Sequence, residues 1–100
     1  MFGVNELDNL IAKLKNSKTF LREQYGVEKL GIFGSYVRGE QNSNSDVDIL
    51  VSFKEPVGLL KFIALKHQLS ELIGKDVDLV MKSALKPGIG KRILKEVIYV

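Results

Sequence analysis

The sequence predicts an α/β fold, a small mixed β-sheet with helices packed on it. Three observations carry that expectation. Short apolar runs of strand length recur at residues 29–33, 46–53 and 76–81. Between them lie longer stretches whose apolar residues recur at helical spacing. Glycines at 26, 34, 58, 74 and 90 punctuate the changes of pattern. The order is helix, strand, helix, strand, helix, strand, helix, which is the signature of a layered α/β sandwich.

Leu7, Leu10, Ile11 and Leu14 share one helical face, and Leu21 and Tyr25 extend it. The first helix is expected over 5–24, with room for a bend at Asn16 and Ser17, and Gly26 ends it. Residues 29–33 (KLGIF) read as a buried strand. Gly34-Ser35 follows directly, and Ser35 suits the N-cap of a short helix through residues 38–40. Residues 41–45 (QNSNS) form a polar turn before the clearest strand, DVDILVSF at 46–53. Pro56 and Gly58 introduce a helix over 59–73 with Phe62, Leu65, Leu69 and Leu72 on one face, closed by Gly74. DVDLVM at 76–81 is a third strand. A last short helix is expected after Gly90, carrying Ile93, Leu94, Val97 and Ile98.

With 100 residues, 45% of them hydrophobic, the chain is expected to form a single domain, 1–100, with one modest core. There is no cysteine, so disulfides, cysteine-based zinc sites and a cysteine nucleophile are excluded. The first ten residues include Asn5, Glu6 and Asp8 where a signal peptide would need an apolar run. No apolar stretch is long enough to span a bilayer. A cytoplasmic protein is expected, with no membrane contact. The net charge of +3 and pI near 9.2 suit an anionic ligand such as a nucleotide. They fall short of the dense field of a dedicated nucleic-acid-binding module, and no direct nucleic-acid binding is expected.

The chemistry concentrates in Gly34-Ser35, followed after ten residues by Asp46-Val47-Asp48. Side chains alternate along a strand, so Asp46 and Asp48 share one face while Val47, Ile49, Val51 and Phe53 face the core. Two carboxylates about 6–7 Å apart repel unless solvated or bridged by a cation. Hard divalent ions prefer such oxygen ligands. Gly34 lets a phosphate approach the backbone, and the Ser35 hydroxyl can donate to it. Asp78 adds a third carboxylate inside an otherwise apolar strand, where burial would be costly without a partner or metal. Asp76 reads as a loop acid. Together the acids can cradle two metals of the kind that hold the attacking and leaving oxygens in phosphoryl transfer.

Residues 34–39 (GSYVRG) through 45–51 (SDVDILV) resemble the signature of the DNA-polymerase-beta-like nucleotidyltransferase superfamily, in its minimal nucleotidyltransferase (MNT) branch. Residues 25–33, Val77-Asp78-Leu79-Val80 and 84–94 are similar to the same branch, so the resemblance spans nearly the whole chain. It implies the polymerase-beta-like fold. It implies that Asp46, Asp48 and Asp78 are catalytic and bind Mg²⁺, with two ions expected, and that Gly34 and Ser35 hold the triphosphate of ATP. It further implies an antitoxin partnered with a small helical HEPN toxin, adenylylating a tyrosine of that toxin.

Other readings stand beside it. The domain can be a non-catalytic antitoxin that masks its partner, or it can transfer a nucleotide to a small molecule. The latter lacks room, since the chain offers no obvious second pocket for a small acceptor. Homo-oligomers and hetero-oligomers with the toxin are both compatible with so short a chain. Arg38 reaches a phosphate or is a solvated helix residue; it is carried as a cofactor-binding candidate. Tyr36 stacks on a base or packs in the core. Lys82, Lys86, Lys91, Arg92 and Lys95 read as a solvated face, His67 as a surface residue, and Gly88-Ile89-Gly90 as a loop.

Overall fold

A computed structural model describes residues 6–100. The elements in chain order are α1 (Glu6–Tyr25), β1 (Val27–Phe33), α2 (Ser35–Arg38), β2 (Val47–Phe53), α3 (Leu59–Ile73), β3 (Val77–Met81), α4 (Ile89–Glu96) and β4 (Ile98–Tyr99). A single 3-10 turn occupies Lys82–Ala84. The expected helix start at Asn5 lies outside the described residues. Through Asn16 and Ser17 the chain stays helical.

In α1, Leu10, Leu14 and Leu21 are buried along one stripe. Glu6 and Asp8 in its first turn and Arg22 in its last complement the helix dipole. In α3, Leu65, Leu69 and Ile73 are buried at four-residue spacing, and Gly74 closes the helix with its N–H donating to the Ser70 carbonyl at 2.9 Å. Both helices pack on the same face of the sheet. There they meet Leu30 and Ile32 of β1, Val47, Ile49 and Val51 of β2, and Val77 and Leu79 of β3.

The sheet has four strands in the order β3-β2-β1-β4. β1 runs antiparallel to both β2 and β4, while β2 and β3 are parallel. The parallel pair requires a crossover, and α3 supplies it. β4 departs from expectation, because Ile98 pairs with Ile32 and Tyr99 with Gly31 instead of continuing a helix. The helix before it begins at Ile89, capped by Gly88, so the Gly88-Ile89-Gly90 segment is a helix start rather than a loop. Gly90 is buried against Leu85.

This topology gathers the end of β1 and the starts of β2 and β3 at one edge of the molecule. The register sets Asp48 opposite Phe33 on one side and opposite Asp78 on the other. The sheet face away from α1 and α3 therefore carries Asp48 and Asp78, together with Phe33 and Leu50.

Candidate active site

Asp46 immediately precedes β2, whose first N–H, from Val47, donates to the Asp76 carbonyl at 2.9 Å. The loop before Asp46 is held by its own side chains. Asn44 N–H donates to Asn42 Oδ1 at 2.8 Å, and Asn42 N–H donates to Ser45 Oγ at 2.9 Å. The Tyr36 hydroxyl faces the Ser45 carbonyl at 3.5 Å. Tyr36 is buried in the core, which settles its place in favour of packing over base stacking.

Across the parallel pair, Asp48 lies beside Asp78. Asp76 immediately precedes β3, as Asp46 precedes β2, and the two lie side by side ahead of the Val47–Val77 pair. It lies in the loop just before β3, as expected of a loop acid, and lines the same depression as Asp46. Asp46, Asp76 and Asp78 are exposed, and Asp48 is half-buried. Asp78 escapes the cost of burial in its apolar strand, because the outer face of β3 is uncovered at this point. Burial, reinforced by Asp78 and Asp46, pushes the Asp48 carboxyl up from 3.8 to about 6. Arg38 pulls in the opposite direction, and Glu96 adds a further upward push.

Gly34 stands between β1 and α2 with φ 81° and ψ −150°. A side chain is disfavoured in this backbone conformation, and a Cβ there would collide with the Asp48 carboxylate. Gly34 itself is the N-cap of α2, and Ser35 is the first helical residue. The expected N-cap role of Ser35 is thus replaced. The chain enters α2 through a left-handed glycine, and the Val37 and Arg38 N–H groups donate to the Gly34 carbonyl at 3.0 and 3.1 Å.

Arg38 is engaged in ion pairs. Its Nε donates to Glu40 Oε1 at 2.9 Å, and its Nη1 donates to both oxygens of Glu96 at 2.9 and 3.0 Å. The Glu40 and Glu96 hydrogen bonds raise its pKa further above the ordinary arginine value. Glu96 also accepts the Gly34 N–H at 2.6 Å. Sequence reading missed Glu96 entirely. It is one acid in a basic helical stretch, and nothing local shows that it returns to Gly34.

On the other side of Asp46 lies an open depression of about 570 Å³. Asp46 and Asp76 form one wall, and His67, Ser70, Glu71 and Lys75 from the end of α3 and the turn after it form another. The expectation that the chain keeps no second pocket is therefore corrected. The loop 43–45 and the C-terminal end of α3 enclose a space that no sequence motif marks. His67 is exposed, as expected, on the rim of that space.

The donor set suits a hard divalent cation. Asp46, Asp48 and Asp78 offer oxygens at neighbouring strand positions, and the mutual repulsion that raises Asp48 is what a cation would relieve. As placed, no three acidic or histidine side chains among the described residues converge closely enough to hold an ion.

The comparisons with known proteins bear on the family and the fold. The model of the nucleotidyltransferase domain family matches residues 14–100. Protein adenylyltransferase MntA of Thermococcus cleftensis is 52% identical over 100 residues, covering 100% of this chain and 98% of that protein. A solved structure described as a minimal nucleotidyltransferase aligns with a TM-score of 0.78 at 36% identity, covering 92% of this chain and 93% of that one. A toxin–antitoxin crystal structure with AMP-PNP aligns with a TM-score of 0.70 at 28% identity, covering 96% of this chain and 72% of that one.

Proposed function

The chain belongs to the nucleotidyltransferase domain family, and from that premise we propose that it transfers AMP from ATP to a tyrosine of a helical HEPN-type toxin and so acts as its antitoxin. One observation carries this reading. The glycine turn Gly34-Ser35 lies at the same sheet edge as Asp46, Asp48 and Asp78. The identity to a named protein adenylyltransferase over the full length of both chains supports the reaction class. The likeness to a toxin–antitoxin structure with a nucleotide analogue supports the donor and the kind of partner.

In this reading the Gly34 N–H, the Ser35 hydroxyl and Arg38 bind and orient the phosphates. Asp46, Asp48 and Asp78 would hold Mg²⁺ in two positions, which supplies polarisation of the phosphoryl oxygens and a lowered pKa for the attacking hydroxyl. The depression beside Asp46 and Asp76 receives the acceptor side chain, on the side of β2 away from Gly34. In-line transfer then requires the acceptor oxygen to reach the α-phosphorus opposite the pyrophosphate leaving group. The acids next to the acceptor hydroxyl are the groups able to take its proton. Among the described residues no helix is long and apolar enough to cross a membrane. With ATP as donor, we assign the chain to the cytoplasm.

Incubating the protein with ATP, Mg²⁺ and its co-encoded helical partner is expected to raise the partner's intact mass by one or more AMP units. Asp48→Asn is expected to abolish the change. A partner that stays unmodified yet is inhibited in a stable complex would replace this reading with that of a masking antitoxin.

A further inference from the structure

Gly34 has one N–H, and it is already taken. Glu96 lies 62 residues away in sequence, yet its Oε2 accepts that N–H at 2.6 Å. The same carboxylate holds Arg38 Nη1 with both oxygens, at 2.9 and 3.0 Å. A phosphate oxygen placed on the Gly34 N–H would overlap Glu96 Oε2. Two anions cannot share that donor.

We propose that Glu96 is a built-in competitor for the triphosphate, holding the Gly34 N–H and Arg38 in the nucleotide-free chain and giving them up when nucleotide binds. The inference rests on the reading that Gly34 and Arg38 bind phosphate. It goes beyond that reading by assigning the state of those donors before nucleotide arrives.

The surrounding structure lets the carboxylate leave. Glu96 is the last residue of α4, and Val97 after it is extended. α4 buries only Gly90, while Ile89 and Leu94 are exposed, so little apolar surface resists its movement. β4 is anchored separately, by pairing with Gly31 and Ile32. A Cβ on Gly31 would lie 2.6 Å from Val97 Cγ2 and 3.0 Å from the Ile98 carbonyl oxygen, so the strand after Glu96 is seated tightly. The helix end can therefore turn without unpairing the sheet. A small cavity of about 170 Å³ adjoins Glu96, lined by Phe33, Arg38, Ile89, Arg92 and Ile93. It offers the displaced carboxylate a place to go, with Arg92 at hand as an alternative cation.

A donor occupied by the protein's own carboxylate lowers apparent affinity in proportion to the fraction of molecules in which it is free. Removing the competitor is therefore expected to tighten Mg·ATP binding on the order of tenfold, the scale of a charge-assisted hydrogen bond. Titration calorimetry of Mg·ATP against wild type, Glu96→Ala and Glu96→Gln tests this. Tighter binding in both variants, larger for alanine, is the expected result. Amide NMR of the wild-type protein supplies a measurement independent of any variant's folding. The Gly34 resonance should leave its carboxylate-bound position when Mg·ATP is added. Equal or weaker binding in the folded variants, or a Gly34 resonance that stays in place under saturating Mg·ATP, would overturn the proposal and make Glu96 a brace for the turn. Asp46→Asn with Asp48→Asn separates the two readings. If the double variant binds Mg·ATP as well as wild type does, the reading of the site fails; if it loses binding while Glu96→Ala gains none, only the competitor fails. No Mg·ATP binding by wild type or by Glu96→Ala overturns both.

Discussion

The two faces of the sheet are built to opposite specifications. On the helical face, Leu14, Leu21, Leu65 and Leu69 from α1 and α3 are fully buried against Ile32, Ile49 and Val51. On the other face, acids occupy neighbouring strand positions, and α4 buries a single glycine. Stability and chemistry are thus assigned to different surfaces of the same strands. Alternation along β2 is what makes the division possible, since Val47, Ile49 and Val51 serve one face while Asp48 serves the other. The difference teaches that variants should sort by face, and each prediction here tests that sorting.

The largest effect is expected on the helical face. Leu69→Ala leaves a cavity between α3 and the sheet and should cost about 2–5 kcal/mol. In a domain of this size that corresponds to a melting temperature lower by roughly 4–8 °C per kcal/mol. Nucleotide affinity of the still-folded fraction should be unchanged. An altered affinity at a temperature where the variant is fully folded would show that the faces are coupled.

A smaller and opposite effect is expected at Asp48. Its folded-state pKa of about 6 lies above the ordinary 3.8. The folded chain therefore binds this proton more tightly than the unfolded chain does. The resulting stabilisation is fully present below pH 3.8 and is lost as pH rises through about 6. Because the group is partly solvated, the effect is on the order of 1 kcal/mol, less than the full shift would imply. Without divalent metal, Asp48→Asn should gain stability relative to wild type as pH rises from about 4 to 7, read as the difference between their melting curves. Glu96 runs the other way. Burial opposes its charge, but the Gly34 N–H and Arg38 outweigh that and hold its pKa below the ordinary carboxylate value. Comparing wild type with Asp48→Asn cancels this second contribution apart from the coupling of Glu96 to Asp48. A difference that does not change with pH would show that Asp48 is not stressed in the folded chain.

The smallest effect is expected at Ser35. Since Gly34 and not Ser35 caps α2, Ser35→Ala should leave the melting temperature unchanged. If the hydroxyl donates to phosphate, Mg·ATP binding should weaken by about 0.5–1.5 kcal/mol. A lowered melting temperature with unchanged affinity would assign the hydroxyl to local structure instead.

What could be read in advance followed local periodicity. The strand DVDILVSF and the helix at 59–73 announce themselves by alternation and by helical spacing, and both lie where they were expected, within a residue at the strand start. Strand β4 did not, because two residues give no period to detect and Val97 and Ile98 fit a helical stripe equally well. Asp76 and Asp46 become neighbours only through the register of two parallel strands, which depends on the α3 crossover. Glu96 was invisible for the same reason at longer range. The walls of the depression beside Asp46 come from three separate segments, and no single stretch of sequence encodes a space. The candidate acids and the Gly34-Ser35 turn were legible because their chemistry is written in residue type and spacing. The state of the donors was not, because it depends on what folds back onto them.

The shortness of β4 has a consequence for how the protein behaves in a crowded solution. Its pairing with β1 covers Gly31 and Ile32, and the Val100 N–H reaches the Leu30 carbonyl at 2.8 Å, but no pairing with β4 extends to Val27 and Glu28. A bare strand margin invites another chain to add to the sheet. Here the margin is irregular: the β1–β2 register shifts between Val27 and Lys29. Glu28 and Lys29 are exposed along it, and the Lys29 ammonium lies 5.9 Å from the centre of the Tyr99 ring. A kink, two charges and a long side chain folded over the strand end make poor terms for an incoming strand, so the sheet stops at four without a helix to close it.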